Sequence, residues 1–518
     1  MRTNPFYLRL HFTRFPFLCF YLLIFALLFT ACTPPASPTS SSTLIPTQKN
    51  ETTLSDTPAS TFTPYLTPDT QKPDTESSST PTPLPPTLMP LPQTGAPSVG
   101  DLYAPELGNT GYDVQHYALQ LALDPAQTYV DGAATIEALA TLPNLVQLSL
   151  DFSGYEIEAL TVNDLPAEYT RDRSKFIITL PEPLAEGQPF TIFVDYRGAP
   201  IQAGSRYVPF VHHLGLQFVP GNLYAVNEPD GAHTWFPCND HPLDKATFAF
   251  EITVPAGLEA VSNGTLTREV SGEDTTTYIW EHPFPMATYL ATVVVGDYEF
   301  QETTSPNGIP ISYYYFADVR EPFQQAVSVT GEALDWMSET FGAYPFESFG
   351  FVTTRVIRAS LETQSMVILS ENMLNEETII HELAHQWFGD WVSQASWANM
   401  WHNEGFAVYV SLMWQTRENP DSLDYFMQNL AARVEREASD DPLGNLAPQR
   451  LFGFDSYQRS ALMIHNLRRL MGEEAFISGL RMYFEQFGGG AASREDFIAI
   501  MEEVSGMELG GFFEEWLE

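Results

Sequence analysis

His381, Glu382 and His385 fall within five consecutive positions, His381-Glu382-Leu383-Ala384-His385. Four residues apart on a helix, two imidazoles project from one face, one turn apart. That spacing lets two neutral ring nitrogens bind a single Zn2+ at about 2.0–2.1 Å. Glu382 then lies beside the metal, where its carboxylate can take a proton from activated water. Such a short pattern also arises by chance on surface helices, and two observations weigh against chance here. Ile379, Ile380, Leu383, Ala384, Trp387 and Phe388 make the helix largely apolar, so it is a buried helix whose polar groups need partners. Glu404 then follows, with eighteen residues between it and His385, in a second helix-like run, Asn403-Glu404-Gly405-Phe406-Ala407. Two histidines and one glutamate leave a fourth position for water, which separates a catalytic zinc site from a closed structural one. One Zn2+ per chain is the expected cofactor.

The rest of the chain must carry and position these residues. Its 518 residues allow two or three domains. A net charge of −41 with only four lysines excludes an ordinary nucleic-acid binder and suits a protein kept soluble outside the cell. The three cysteines, Cys19, Cys32 and Cys238, make no disulfide framework, and Cys238 reads as a packed, reduced thiol. Residues 1–31 read as an export signal, with Arg2, Arg9 and Arg14 ahead of an apolar run over residues 17–29. The run ends Phe29-Thr30-Ala31-Cys32, which resembles the lipobox of bacterial lipoproteins with Phe29 in place of the usual leucine. Lipidation of Cys32 is one expectation and an uncleaved membrane anchor the other; either tethers the chain to a membrane. Residues 32–99, rich in Pro, Thr and Ser, are expected to be a disordered spacer.

Residues 100–300 alternate apolar and polar positions in short runs, as in Tyr117-Ala118-Leu119-Gln120-Leu121 and Phe176-Ile177-Ile178-Thr179-Leu180. Turn pairs such as Asn163-Asp164, Glu186-Gly187 and Asn263-Gly264 fall between them, which predicts an all-β sandwich or saddle domain. Asn263-Gly264-Thr265 is read as such a turn and not as a glycosylation acceptor. Helical periods dominate residues 301–518. One spans residues 322–341, and another opens near Ser456-Tyr457 and runs to Gly472, its expected cap. The expected class is therefore an α+β multidomain protein, all-β first and mostly helical second.

The stretches HELAHQWFGDW and WHNEGFAVYV closely resemble the zinc aminopeptidases of the gluzincin clan, the aminopeptidase N and leukotriene-A hydrolase type. Trp235-Phe236-Pro237-Cys238-Asn239-Asp240-His241-Pro242 and Ala260-Val261-Ser262-Asn263-Gly264 resemble the amino-terminal domain of that family. The resemblance covers about residues 112–518 and implies a thermolysin-like catalytic domain. It also implies roles that no spacing rule supplies. Glu228, nine residues before Pro237, matches an acid that binds the substrate's free α-amino group. Residues 358–369 align with the family's Gly-x-Met-Glu-Asn motif, an exposed strand that pairs with the peptide backbone. Glu362 matches the acid of that motif, while Ala359, Leu361 and Thr363 depart from its Gly, Met and Asn. Tyr457 matches the oxyanion donor of a Tyr-x-Lys-Gly-Ala helix, with Arg459 in place of the lysine. Taken alone, a loop glutamate is more often a solvated charge and a helix tyrosine more often core. Asp390, five residues past His385, is a candidate to orient a ligand histidine or else lies exposed. The sequence ends where the family's catalytic domain usually does, so the large helical domain that roofs the cleft is not expected.

The function expected on these grounds is zinc-dependent removal of amino-terminal residues from peptides outside the cell. Glu382 is the expected base and Tyr457 the oxyanion donor, with Glu228 and Glu362 on the free amino terminus. Two rivals stand beside it. One is a zinc endopeptidase or other hydrolase with an open cleft. The other is a non-catalytic surface binding protein on an enzyme scaffold, against which stands the presence of every residue the chemistry needs.

Overall fold

The computed structural model describes residues 91–518 apart from Ala203 and Phe210. The export signal, Cys32 and most of the expected spacer lie outside the described residues. Ordered pairing begins before the expected boundary at residue 99, because Gln93–Thr94 runs parallel to Leu145–Asp151. Gln93 N–H donates to the Asn144 carbonyl (2.9 Å) and Gly95 N–H to that of Gln147 (3.0 Å). Backbone pairing needs no apolar side chains, so a proline-rich composition hid this short strand.

The amino-terminal part is a β-rich domain, as its alternation predicts. Its largest sheet has eight strands, in the order Thr265–Ser271, Thr275–Met286, Ala246–Pro255, Tyr112–Leu123, Val130–Ala140, Pro189–Gly198, Glu156–Val162 and Leu165–Pro166. Along Tyr112–Leu123 the buried positions are Tyr112, Val114, Tyr117, Leu119, Leu121 and Leu123. The change of parity after Val114 is a bulge between Val114 and His116, where one extra residue shifts the inward face. Two four-stranded sheets complete the layers, and Tyr117, Phe152, Tyr196, Trp235 and Phe248 fill the space between them. Cys238 is buried and free, as a packed thiol should be. Asp240 Oδ2 accepts from both the backbone N–H (3.1 Å) and Nδ1 (2.7 Å) of His233, which closes the loop following Glu228.

The second part opens on a four-stranded sheet of Glu299–Thr304, Pro310–Tyr315, Phe349–Thr354 and Met366–Ser370, so it starts just before the expected residue 301. The helical period over residues 322–341 is two helices, α1 (Arg320–Val327) and α2 (Thr330–Phe341). Helix α3 (Glu376–His385) carries the paired histidines. Asn375 caps it by accepting from Thr378 N–H (3.0 Å), and Glu376 and Glu377 in its first turn complement the helix dipole. Helix α4 (Met400–Gln415) carries Glu404, and α5 (Asp421–Glu437) follows it. Asp455–Arg459 forms a π-helical turn that runs directly into α6 (Ser460–Met471), with Gly472 as the cap. Helices α7 (Glu473–Phe487), α8 (Arg494–Ser505) and α9 (Gly510–Leu517) complete the domain. Gly405 has a packing role, since a Cβ there would stand 2.5 Å from Ser460 Cβ. Its absence lets α4 and the start of α6 approach closely.

The two parts share partly buried polar contacts. Lys245 Nζ, from the β-rich part, donates to the carbonyls of Asp390 (2.7 Å), Trp391 (3.2 Å) and Gly490 (3.2 Å). Among the described residues no helix is long and apolar enough to cross a membrane.

Candidate active site

Helix α3 turns His381 and His385 to one side, and α4 brings Glu404 against them. The ligating atoms of these three residues all lie within 4.8 Å of one another. The two Nε2 atoms are 3.2 Å apart, and Glu404 Oε2 is 3.2 Å from that of His381 and 3.5 Å from that of His385. The tautomer of His385 follows from its partners. Nδ1 faces the Asn403 Oδ1 (2.6 Å) and the Phe388 carbonyl (3.1 Å), both acceptors, so Nδ1 carries the proton. In the neutral ring Nε2 is then a lone pair aimed at His381 and Glu404. Glu404 Oε2 and Glu382 Oε2 are buried without a hydrogen-bond partner. Converging lone pairs and orphaned carboxylate oxygens in an enclosed space fit a divalent cation with mixed nitrogen and oxygen donors.

Asn403 occupies the place that sequence reasoning offered to Asp390. Asp390 is fully buried, but its Oδ2 accepts from Gln386 Nε2 (2.8 Å) and neither ligand histidine bonds its side chain among the described residues. The reason is steric and local. Gly389, at φ +112°, has no Cβ, and a Cβ there would meet Asn403 Oδ1 at 2.2 Å. The glycine clears the path by which Asn403 reaches His385.

Glu362 arrives on a chain segment with little regular structure. Leu361 makes a single antiparallel bridge with Ile368, and Ser365 at φ 63° turns the chain between them. The segment is buried from Leu361 to Ser370, so the exposed strand expected there is an enclosed hairpin. Its tip is held from the β-rich domain. Asn263 Nδ2 donates to the Gln364 carbonyl (2.8 Å), Gly264 N–H to Ser365 Oγ (2.8 Å), and Gln364 Nε2 to His282 Nε2 (2.8 Å). Asn263 is thus a buried turn residue with its amide in use, which leaves none of it for a glycan. Glu362, Glu382 and His385 bring ligating atoms within 4.8 Å of one another, so the carboxylate of Glu362 adjoins the metal pocket. Glu228 is buried with Oε1 unpartnered. Its neighbour Asn227 fixes the backbone by donating to the Ala291 carbonyl (2.5 Å) and accepting from Trp235 Nε1 (2.9 Å). Tyr457 sits on the π-helical turn, its ring stacked 5.9 Å from that of His381 and its hydroxyl donating to Glu404 Oε1 (2.6 Å). The sequence-derived set therefore converges, apart from Asp390, which touches it through Gln386, and Cys32, which is outside the described residues.

The electrostatics follow from crowding buried acids. Burial, then Glu362 and Glu404, raise the Glu228 carboxyl well above the usual range. Burial also raises Glu382, with His385 partly opposing. Burial alone would raise Glu404 and lower His385. The adjacent His381 and His385 instead hold Glu404 well below the carboxylate range, and the nearby glutamates hold the His385 imidazole high. Burial and Glu404 keep the Tyr457 phenol protonated as a donor. No Lys or Arg pairs with Glu228, Glu362 or Glu382 among the described residues, so this site attracts cations.

A histidine pair and a glutamate on adjoining helices, a free carboxylate between the histidines, and one further acid from each domain define a zinc metallopeptidase site. Residues 334–516 match the Peptidase family M1 domain and residues 113–290 the Peptidase M1 N-terminal domain. Aminopeptidase M1-B of Oryza sativa subsp. japonica is 27% identical over 439 residues, covering 77% of this chain and 49% of that protein. Aminopeptidase N of Streptomyces lividans is 29% identical over 332 residues, covering 57% of this chain and 38% of that one. The chain thus spans about half or less of the length of these curated relatives. An M1 zinc metallopeptidase from Deinococcus radiodurans superposes with a TM-score of 0.76 at 31% identity, covering 81% of this chain and 97% of that chain. A variant of the Deinococcus protein has been solved bound to the substrate Tyr-Ser-Ala. The chain belongs to the Peptidase M1 family, and its cofactor is Zn2+.

Proposed function

We propose that the protein is an aminopeptidase, hydrolysing the first peptide bond of substrates with a free amino terminus. The observation that carries this reading is the pair of buried, cation-free glutamates, Glu362 at the metal pocket and Glu228 within electrostatic reach of Glu362, Glu404 and His385. Two carboxylates without a cationic partner among the described residues receive an α-ammonium there through charge-assisted hydrogen bonds. That contact sets the register, so that the first peptide bond meets the catalytic groups. His381, His385 and Glu404 would hold the zinc, which when bound would supply Lewis-acid chemistry to the carbonyl and the water. Glu382, with one oxygen free, takes the proton of the attacking water and passes it to the departing amine. The Tyr457 hydroxyl donates to the oxygen that gains charge in the transition state. The curated relatives called aminopeptidases and the Tyr-Ser-Ala complex of the Deinococcus protein support the same substrate class.

Its proposed place of action is outside the cell, on a membrane tether at Cys32 or an uncleaved amino-terminal anchor. The basic and apolar pattern of residues 1–32 supports this. The activity is tested by incubating the full-length protein with one peptide, free and N-acetylated, with and without a chelator, and following fragments by mass spectrometry. Sequential loss from residue one, abolished by chelation and slowed at least ~10-fold by acetylation, is expected. Internal fragments appearing equally fast from the acetylated peptide would make the protein an endopeptidase.

A further inference from the structure

Glu362 must hold its place relative to the metal, yet its own arm of the hairpin is tied to the strand Met366–Ser370 by the single Leu361–Ile368 bridge. Besides the bonds made to its tip from the β-rich domain, two side-chain amides from the metal-bearing elements hold it. Gln386, directly after His385, donates through Nε2 to the Glu362 carbonyl (3.1 Å) and accepts at Oε1 from Ser365 N–H (2.8 Å). Its amide is itself fixed, since Nε2 also donates to Asp390 Oδ2 (2.8 Å) and Tyr344 hydroxyl lies 3.5 Å from Oε1. Asn403, directly before Glu404, donates through Nδ2 to Glu362 Oε1 (3.2 Å) while Oδ1 accepts from His385. Both amides are fully buried and each donor faces an acceptor, so neither can flip without losing bonds. One grips the backbone of Glu362 and the other its carboxylate. Each is one residue along the chain from a metal ligand.

We propose that Gln386 and Asn403 are positioning residues that lock Glu362 into the frame of the metal ligands and so set which peptide bond is cut. This rests on the aminopeptidase reading, in which Glu362 receives the substrate's amino terminus. The roles are separable. Gln386 bonds neither histidine side chain, whereas Asn403 orients His385 and Glu362 together, so of the two amides it is Asn403 that couples metal affinity to amino-terminal preference.

The test compares full-length wild type, Gln386→Met and Asn403→Ala. For each, zinc affinity is measured by competition with a chromophoric chelator, and kcat and KM on one peptide in free and N-acetylated forms. Circular dichroism establishes that each variant is folded. Gln386→Met should keep its zinc affinity and lose about 10-fold or more of its free-over-acetylated preference, mainly through KM of the free peptide. Asn403→Ala should bind zinc about 10- to 100-fold more weakly, and at saturating zinc lose the preference as well. Should Gln386→Met fail to fold, Asn403→Ala at saturating zinc tests the same lock from its other side. A wild type that does not distinguish the two peptides defeats the aminopeptidase reading itself. A wild type that distinguishes them, with the preference intact in a folded, zinc-loaded variant, overturns the positioning role of that residue.

Discussion

Replacing Asn263 with alanine should weaken the fold and the active site together, although the residue belongs to the β-rich domain. Asn263 is fully buried, and its amide makes three bonds: Nδ2 to the carbonyls of Leu290 (2.9 Å) and Gln364 (2.8 Å), and Oδ1 from Thr292 N–H (2.7 Å). A net value near 1 kcal/mol for each bond, with part of the desolvation penalty of the groups left orphaned, puts the loss at about 3–4 kcal/mol. Two of the bonds stay inside the β-rich domain, and the third crosses to the hairpin that carries Glu362. About 1 kcal/mol should therefore fall on the position of Glu362, which is roughly a fivefold rise in KM for a free peptide. The N-acetylated peptide, which gives Glu362 no ammonium, should be unaffected. Urea unfolding followed by tryptophan fluorescence measures the first quantity, and paired kinetics on the two peptides the second. Wild-type stability in Asn263→Ala would refute the value assigned to these bonds. Lost stability with both KM values unchanged would refute the idea that the β-rich domain holds the hairpin in place.

Other consequences of the site are open to direct measurement. Glu382→Gln should retain one zinc per chain by metal analysis and lose about 10^2–10^4-fold in kcat, since the amide keeps the size but not the base. Tyr457→Phe should lower kcat by about 10^2–10^3-fold with little change in KM, because its hydroxyl acts on charge that appears only in the transition state. A variant that merely melts earlier, at unchanged activity per folded molecule, would make Tyr457 a core residue. His282 gives a pH dependence of stability. Burial, then Lys245, push its imidazole down to about 3. The unfolded chain takes up this proton near the ordinary value and the folded chain does not. Stability should therefore fall as pH drops from about 6.5 toward 3, by up to about 1.4 kcal/mol per pH unit from this group. His282→Gln, which can still accept from Gln364, should flatten that slope in urea titrations at pH 6, 5 and 4; an unchanged slope would mean that His282 protonates freely in the fold.

What the sequence determined by itself is local in origin. The i, i+4 spacing of His381 and His385 depends only on helix geometry, and a buried helix there follows from its apolar residues. Alternation likewise marked the strands of the β-rich domain, because a pleated chain buries every second side chain. The roles of Glu228, Glu362 and Tyr457 were legible only through resemblance, since a lone acid or tyrosine carries no period. Position along the chain offered Asp390 a place beside a histidine that Asn403 takes. The tertiary structure alone decided how these residues are held. Asn263 meets Gln364 from about a hundred positions away, Gln386 and Asn403 close on Glu362 from two helical elements, and the π-helical turn sets the Tyr457 hydroxyl on Glu404. Hydrogen bonds of this kind depend on direction and on ångström-scale distance between segments remote in sequence. Propensity and periodicity describe one segment at a time, so such bonds come into existence only when the segments pack.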